Sequence, residues 1–210
     1  MHRMFNVVAA ATGLLIFSPV FAVAALAIKR DDGGPVFYAQ PRVGQGLRTF
    51  RLLKFRSMVC DADRAGLLTA PADPRITRAG RVLRKYKLDE LPQLWNVLKG
   101  DMQLVGIRPE VRRFVEAYRE EFAVLLREPP GITDPASLAY RHEEALLSPE
   151  CMEEQYLSQI LPDKLRLSLN YQQRRNFFSD LVVLLATVLF LPVPKRAAPV
   201  LVSQNRRAQT

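Results

Sequence analysis

The sequence predicts a mostly helical α/β fold with a small sheet, attached to one face of a membrane by an N-terminal helix-break-helix segment and by amphipathic surface helices. Three observations predict this monotopic fold class. An uncharged apolar run over residues 5–28 is interrupted by Ser18-Pro19. Two short apolar runs between residues 36 and 55 flank a Gly-containing turn, as the strands of a hairpin do. From residue 77 onward, helical patterns are separated by Gly and Pro.

These patterns divide the 210 residues into three segments. Residues 1–30 form a re-entrant membrane hairpin, and residues 31–194 form a cytoplasmic domain with interfacial helices. Residues 195–210 form a polar, basic tail that we expect to be disordered. One domain plus a membrane element accounts for a chain of this length.

The apolar run of residues 5–28 contains about the 20 residues that a helix needs to cross a bilayer. Three interpretations are open. A cleavable signal peptide is supported by the small residues 22–24, but the run continues past that site. A straight transmembrane helix conflicts with Ser18-Pro19, because proline removes a backbone donor and breaks the helix. A re-entrant hairpin accommodates the break, since a neighbouring serine can bind the freed backbone groups.

The charges at both ends of this run favour the hairpin. His2 and Arg3 precede the run, and Lys29 and Arg30 follow it. Positive residues concentrate on the cytoplasmic side of membranes. We therefore expect a helix that enters the membrane, breaks at Ser18-Pro19 and returns to the cytoplasmic face.

The net charge of +9 predicts an anionic partner. The chain contains no recognisable nucleic-acid reading motif, which leaves an acidic membrane surface and phosphorylated substrates. Cys60 and Cys151 lie in no metal or redox spacing, and His2 and His142 are the only histidines. This composition argues against a histidine-based zinc site and against a Ser-His-Asp triad. Any chemistry must rest on carboxylates and cations.

The small sheet is predicted from residues 36–39 and 50–55, with a turn at residues 44–46. In the second strand, Lys54 and Arg56 are two residues apart and share one face. Two cations on one face are either solvated charges or one wall of an anion site. Periodicity alone does not distinguish the two.

Most of the remaining chain is predicted to be helical. Residues 59–76 form a polar loop, and residues 77–87 form a basic helix. Residues 165–176 form a second basic helix. The apolar run 177–194 is short for a membrane span and carries Asp180, so we expect a buried or interfacial helix there.

A longer amphipathic helix is predicted over residues 111–126, and Pro129-Pro130-Gly131 ends it. The residues at helical spacing on its apolar face are Phe114, Tyr118, Phe122 and Leu125.

An adjacent acidic pair, Asp89 and Glu90, lies in a cation-rich stretch. Pro92 suits the first turn of a helix and Gly100 suits its C-terminal cap, which predicts a helix over residues 92–99. The pair then precedes a helix N-terminus, where backbone amides favour anions. It is either a solvated, salt-bridged surface or a phosphate-handling site that needs a carboxylate for chemistry.

The ordered motifs of the chain resemble those of the bacterial sugar transferase family, the monotopic phosphoglycosyl transferases that start glycan assembly on a polyprenol carrier. The matching segments are the Ser18-Pro19 hairpin, GPVFYAQPRVG from Gly34, KFRSM from Lys54, LDELPQLWNVLKGDM from Leu88, LVGIRP from Leu104, PGITDPASLAYRHEE from Pro130 and LPDKLRLSLNY from Leu161. They cover nearly the whole chain, and several long motifs in the family's order are a specific signal.

The resemblance implies a reaction and a set of partners. Asp89 would attack the sugar-bearing phosphate of a UDP-sugar, UMP would leave, and polyprenol phosphate (undecaprenyl phosphate) would take the sugar phosphate from the carboxylate. Glu90 would hold Mg²⁺ or Mn²⁺ together with Asp89. The enzyme would carry out the first membrane step of glycan assembly (exopolysaccharide, O-antigen or glycoprotein) on the cytoplasmic face of the bacterial inner membrane, in contact with membrane lipid and without nucleic acid. A homodimer is compatible with this assignment. The substrate-binding residues that the resemblance implies are Lys54, Arg56, Arg108, Pro109, Asp134 and Tyr140.

Two departures from the family's motifs leave the sugar open. Ile107-Arg108-Pro109 stands where the family commonly has Pro-Arg-Pro, and Asp134-Pro135 follows PGIT where Gly is frequent. A different class of function also fits the charge and the anchor, namely a non-catalytic, membrane-anchored regulator that binds anions. That alternative leaves the Asp89-Glu90 pair unexplained.

Overall fold

The N-terminal segment is a pair of helices in the computed structural model, which describes residues 3–62, 68–69, 73–148, 151–189 and 191. Helix α1 (Arg3–Ile16) and helix α2 (Ser18–Asp32) meet at an angle of 58°. Ser18 Oγ donates a hydrogen bond to the Leu15 carbonyl at 2.8 Å, and Pro19 lies in the first turn of α2, where its missing donor costs nothing. The predicted helix-break-helix is confirmed. Among the described residues no single helix is long and apolar enough for a membrane span, whereas the bent pair together meets that criterion.

Helix α1 is bound to helix α4 (Gln93–Lys99) by its polar N-terminal residues. The Arg3 guanidinium donates to the carbonyls of Val97 and Leu98 at 2.5 and 2.6 Å, at the C-terminal end of α4. Further along, the buried Asn6 accepts the Leu104 N–H at 2.9 Å. The Arg3 bonds satisfy carbonyls that the end of α4 leaves open, and the Asn6 bond satisfies an amide of the segment that follows. They fix the membrane-hairpin candidate to the body of the protein.

The predicted two-stranded sheet is present and longer than expected. Strand β1 (Phe37–Val43) pairs antiparallel with strand β2 (Thr49–Phe55), from Phe37 opposite Phe55 to Val43 opposite Thr49. Strand β1 continues through Pro41, which the two-stranded arrangement tolerates because each strand is an edge. Within the predicted loop 59–76, residues 63–67 and 70–72 lie outside the described part of the chain.

The carboxylate pair follows the predicted basic helix, α3 (Arg78–Lys85), in a single 3₁₀ turn over Leu88–Glu90. Helix α3 begins after Thr77, whose side chain accepts the Gly80 N–H at 2.9 Å. Helix α4 then runs to Gly100, which has a φ of 97°. The predicted placement of the pair just before a helix is confirmed.

The structure contains a second pair of strands, parallel and not predicted from the sequence. Strands β3 (Gln103–Val105) and β4 (Gly131–Thr133) pair in parallel. Each is three residues long, which is too short to show a period of two. Their backbones meet so closely that a Cβ at Gly131 would lie 2.1 Å from the Gly106 nitrogen.

The single helix predicted over residues 111–126 is wrong, because the chain turns at Tyr118. It forms α5 (Arg112–Ala117) and α6 (Arg119–Leu125), with Tyr118 at φ −135° and ψ 46°. The Tyr118 hydroxyl donates to the Leu157 carbonyl at 2.7 Å. The predicted inward face is confirmed for Phe114, Phe122 and Leu125, which are buried.

The C-terminal half is mostly helical, and the helices predicted over residues 165–176 and 177–194 correspond to its last two helices, with residues 190 and 192–194 outside the described part of the chain. The order is α7 (Pro135–Ala139), a 3₁₀ turn over Glu143–Leu146, α8 (Met152–Gln155), a π-turn over Tyr156–Ile160, α9 (Leu161–Arg174) and α10 (Phe177–Val188). Helix α10 buries Asp180, which accepts hydrogen bonds from Tyr171 at 2.6 Å and Arg175 at 2.9 Å. Its other side leaves Phe178, Val182 and Val188 exposed. His2 and the predicted tail 195–210 lie outside the described residues.

Three apolar clusters hold these elements together. The largest lies between β1, α5, α6 and α9, and the second lies between α1, β2, α4, β3, α7 and α10. The third joins Ile28 of α2 to Phe55 of β2 and Leu83 of α3. The hairpin therefore packs against the domain along both of its arms.

Replacing Gly131 with alanine should destabilise the fold strongly, because the added Cβ would strike the Gly106 backbone. We expect a cost of roughly 3 kcal/mol and a melting temperature lower by roughly 5–10 °C. Gly13→Ala is the control, since its Cβ would meet the flexible Leu94 side chain at 3.1 Å. Thermal unfolding followed by the fluorescence of Trp95 in detergent measures both variants. Equal melting temperatures would contradict the close approach of β3 and β4.

Candidate active site

The carboxylate of Asp89 is buried and incompletely hydrogen-bonded. Its side chain is 7% exposed, and its Oδ1 atom has no hydrogen-bond partner. Burial raises the pKa of Asp89, and the negative charge of Glu90 raises it further, while Lys54 and Arg84 act in the opposite direction. The surroundings therefore hold a carboxylate whose negative charge is only partly compensated.

The carboxylate of the neighbouring Glu90, by contrast, is paired with a cation. Arg108 binds both of its carboxylate oxygens, at 2.8 and 2.5 Å. Burial raises the pKa of Glu90, but the charges of Arg108 and Lys54 and the Arg108 hydrogen bonds outweigh it and lower the pKa to about 2. Two adjacent carboxyls whose pKa values move in opposite directions are typical of catalytic sites.

Both carboxylates line a cavity of about 530 Å³, which is large enough for a nucleotide sugar. Basic side chains dominate the part of the wall around Asp89 and Glu90. The cationic lining residues are Arg42, Lys54, Arg56, Arg75, Arg84, Lys87, Arg108, Arg141 and Lys164. A concave surface lined by one sign of charge concentrates ligands of the other sign. The cavity is suited to an anionic ligand.

Lys54 reaches this cavity from strand β2 and lies near both carboxylates. Burial lowers the pKa of Lys54 to about 8, although the charge of Glu90 acts against this change. A lysine with this pKa is mostly cationic at neutral pH. Lys54 therefore lies in the wall of a cation-rich cavity, and its predicted contact with substrate stays a prediction.

Arg56 lines the same cavity, but its guanidinium binds protein groups. It forms a bidentate pair with Asp32 at the end of α2 and donates to the Pro35 carbonyl at 2.6 Å. The residue is 6% exposed. These contacts fasten the hairpin to β2, and the predicted contact of Arg56 with substrate stays a prediction.

The other predicted substrate-binding residues differ in whether they line the cavity. Tyr140 lines the cavity and donates to Asp163 at 2.6 Å; burial and this carboxylate raise its pKa to about 12. Pro109 is buried outside the lining, and its carbonyl accepts from Arg42 at 3.3 Å.

Asp134 is likewise absent from the cavity wall. It caps α7 by accepting the Ser137 N–H at 2.8 Å and also accepts the Ser168 hydroxyl at 2.5 Å. The structure brings Lys54, Arg56, Arg108 and Tyr140 to the cavity and leaves Pro109 and Asp134 outside its lining.

A second polar wall of the cavity was missing from the sequence prediction. Glu110 accepts hydrogen bonds from Tyr156 at 2.6 Å and from Arg42 at 3.0 Å. Lys164 donates to Glu143 at 2.9 Å and to Tyr156 at 3.2 Å. Burial raises the pKa of Tyr156, and the charge of Glu110 adds to this effect. No sequence signal identified this group, because its members come from distant parts of the chain.

The donor atoms near Asp89 fit a magnesium ion only in part. No group of three or more His, Cys, Asp or Glu residues that could hold a metal occurs among the residues that the structure describes. Mg²⁺ commonly uses one or two carboxylates and takes its other oxygens from phosphates and water. The unpartnered Oδ1 of Asp89 suits this role, whereas Arg108 already binds both oxygens of Glu90. The site fits an ion shared with a diphosphate ligand.

Comparison with known proteins identifies the family. The family model described as bacterial sugar transferase matches residues 1–192. The exopolysaccharide production protein ExoY of Rhizobium meliloti is 33% identical over 202 residues, which cover 89% of this chain and 83% of ExoY. The UDP-glucose:undecaprenyl-phosphate glucose-1-phosphate transferase of Caulobacter vibrioides is 36% identical over 190 residues, covering 89% of this chain and 67% of that protein.

Another relative matches this chain over only part of its own length. The UDP-N-acetylgalactosamine-undecaprenyl-phosphate N-acetylgalactosaminephosphotransferase of Aeromonas hydrophila is 42% identical over 142 residues, which cover 66% of this chain and 34% of that protein. The similarity therefore spans about a third of the Aeromonas protein. The match over residues 1–192 includes the hairpin, the carboxylate pair and both cavity walls. The chain belongs to the bacterial sugar transferase family and is an enzyme of that class.

Proposed function

We propose that this enzyme transfers a sugar 1-phosphate from a UDP-sugar to a polyprenyl phosphate, releasing UMP, through a covalent intermediate on Asp89. The observation that carries the proposal is the buried Asp89 carboxylate, which has an unpartnered oxygen and lines a cation-rich cavity. Relatives named as transferases of glucose 1-phosphate and of N-acetylgalactosamine phosphate to undecaprenyl phosphate support the same reaction class.

The reaction consists of two displacements at phosphorus. An Asp89 oxygen attacks the phosphorus that bears the sugar, the bond from that phosphorus to the oxygen of UMP breaks, and UMP leaves. A phosphate oxygen of the polyprenyl phosphate then attacks the same phosphorus, and Asp89 leaves as a carboxylate. Covalent catalysis divides one difficult step between two anions into two easier steps.

The cations around Asp89 reduce the electrostatic cost of these steps. Lys54 and Arg84 lie near Asp89 and lower the energy of its charged form. Arg108 is held by Glu90 and lines the same cavity. Fixed positive charges stabilise the additional negative charge of the transition state without reorganising. If a magnesium ion is present, Asp89 would hold it with its unpartnered oxygen and Glu90 would share its oxygens between the ion and Arg108, and the ion would supply further neutralisation.

The hairpin provides a means of reaching a lipid-linked acceptor. Val8, Leu15 and Val23 are exposed apolar residues of α1 and α2, and Val182 and Val188 extend the exposed apolar surface onto α10. Such surfaces are typical of membrane contact. We place both ends of the hairpin on the cytoplasmic face of the inner membrane, where the cavity can receive a soluble UDP-sugar.

Asp89→Asn should abolish both turnover and the covalent intermediate, because the amide lacks the attacking charge. Wild-type enzyme incubated with UDP-glucose or UDP-N-acetylgalactosamine and without acceptor should gain the mass of one phosphosugar, and digestion should place it on the Asp89 peptide. Glu90→Gln should slow the reaction roughly 100-fold or more, with any adduct still on Asp89. Glu116→Gln, which removes a carboxylate from the surface, should behave as wild type. Turnover by Asp89→Asn without an adduct would favour direct attack by the polyprenyl phosphate.

Chelation should remove activity. If a divalent ion shared with the diphosphate supplies part of the charge neutralisation, excess EDTA should stop UMP release, and Mg²⁺ or Mn²⁺ should restore it. Colorimetric or coupled detection of UMP measures the effect. Full turnover in EDTA would remove the proposed role of Glu90 in holding a metal.

Thiol labelling tests the topology of the hairpin. A His2→Cys variant without the native cysteines should react with a membrane-impermeant maleimide only after cells are opened. The same should hold for Cys60, an exposed native thiol, in a Cys151→Ser variant. Pro19→Leu should favour a continuous helix and expose position 2 on the outside. Labelling of either site in intact cells carrying Pro19 would disprove the hairpin.

A further inference from the structure

Gln93 is a fully buried amide without a hydrogen-bond partner. It is the first residue of α4 and is 0% exposed. Neither its Nε2 nor its Oε1 atom forms a hydrogen bond with the described protein. Leaving a buried polar group unsatisfied costs about 1–3 kcal/mol. An unsatisfied group of this kind requires an explanation.

The other buried amide side chains of the described residues are paired. Asn6 accepts the Leu104 N–H at 2.9 Å, and Gln103 donates to the Pro129 carbonyl at 2.8 Å. Asn96, one turn beyond Gln93 in the same helix, donates to the Arg51 carbonyl at 2.8 Å and accepts the Leu53 N–H at 2.9 Å. The protein therefore satisfies its structural amides, and Gln93 is the exception among them.

Gln93 lies one helical turn after the catalytic carboxylates. The 3₁₀ turn that contains Asp89 and Glu90 runs into α4 through Leu91 and Pro92, which both have right-handed helical φ and ψ angles. Residues three and four positions apart in a helical segment are neighbours on its surface. Gln93 follows Glu90 by three positions and Asp89 by four. The Oδ1 atom of Asp89 is also buried without a hydrogen-bond partner. Three unsatisfied buried atoms thus fall within one turn.

We propose that Gln93 is a positioning residue for the nucleophile, an inference that rests on the proposed role of Asp89. When the donor binds, the Gln93 amide N–H donates a hydrogen bond to one Asp89 oxygen. That bond fixes the rotation of the carboxylate, so that its other oxygen faces the phosphorus of the sugar phosphate. Side chains that orient a reacting group contribute through geometry, and small misplacements reduce rates strongly.

If Gln93 has this role, one substitution should lower activity without lowering stability. Methionine matches glutamine in length and is likewise unbranched at Cβ and Cγ, but it has no polar groups that need partners. Gln93→Met removes the cost of the unsatisfied amide, so the free enzyme should melt at the wild-type temperature or above it. The same variant loses the hydrogen bond to Asp89, so phosphosugar transfer should slow roughly 10- to 100-fold. A residue that serves packing alone would lower stability and activity together.

The experiment measures thermal unfolding and single-turnover formation of the Asp89 adduct for wild-type enzyme, Gln93→Met and Asn96→Leu in detergent. UDP-glucose and UDP-N-acetylgalactosamine are the probes, without acceptor. We expect Gln93→Met to retain its melting temperature and to form the adduct more slowly. The probe concentration that gives half of the maximal single-turnover rate should stay within about threefold of wild type. Asn96→Leu is the matched control. It should melt at a lower temperature, because it leaves the Leu53 N–H and the Arg51 carbonyl without partners.

A Gln93→Met enzyme with the wild-type adduct rate would overturn the inference and leave the proposed function intact. A lower melting temperature or a failure to fold would also overturn it, because Gln93 would then be structural. If wild-type enzyme forms no adduct with either probe and yet releases UMP when polyprenyl phosphate is added, the covalent route and the positioning role both fail. Absence of UMP release with both probes would contradict the proposed donor and the inference together.

Discussion

The bidentate pair between Glu90 and Arg108 is the contact on which the site depends. It joins the turn before α4 to the segment after β3, and it fixes a guanidinium against a carboxylate at the cavity wall. Because Arg108 compensates Glu90 and not Asp89, the two neighbouring carboxylates differ in charge environment. The two side chains are partly exposed, Arg108 to 26% and Glu90 to 19%, and removing either one leaves the other without its counter-charge at the cavity wall. The same contact thus links two distant segments of the chain and gives the two carboxylates different electrostatic surroundings.

The membrane-hairpin candidate and the site are parts of one packed unit. Arg3 binds the C-terminal end of α4, the helix that the carboxylate pair precedes. Asp32, at the other end of the hairpin, binds Arg56, which directly follows β2 and lies two residues from Lys54. The two ends of the hairpin are therefore fastened to segments on both sides of Lys54 and the carboxylate pair. This arrangement is consistent with the proposed lipid-linked acceptor, because the hairpin and Asp89 keep a fixed relation.

The cavity has two kinds of polar wall with different electrostatic character. Around Asp89 the cations outnumber the acids, and one carboxylate oxygen has no partner. In the second polar wall Glu110, Tyr156 and Lys164 bind one another, so their polar groups are largely satisfied. The proposed reaction uses the first wall, and the hydrogen bonds of the second wall maintain the shape of the pocket. Gln93, buried and unpaired four residues after Asp89, is the residue that we infer to position that carboxylate.

Local signals in the sequence were sufficient for the features that depend on a few neighbouring residues. The break at Ser18-Pro19, the start of α4 after the Asp89-Glu90 pair and the inward faces of Phe114 and Phe122 follow from backbone chemistry and helical period. Family motifs then pointed to the carboxylates as the site of reaction.

Only the tertiary structure decided which charges meet. Arg108 lies 18 residues from Glu90, Arg56 lies 24 from Asp32, and Tyr156 lies 46 from Glu110. The sequence analysis gave Lys54 and Arg56 the same predicted role. In the structure, Lys54 lies near the carboxylates, whereas Arg56 binds Asp32 of the hairpin. The periodicity of the sequence indicates which face of a helix or strand is apolar. Ion pairs between distant residues depend instead on how the loops close and how the elements pack. The local chain chemistry therefore determined most of the helices and the nucleophile candidate, and long-range packing determined the charged partners that surround that candidate.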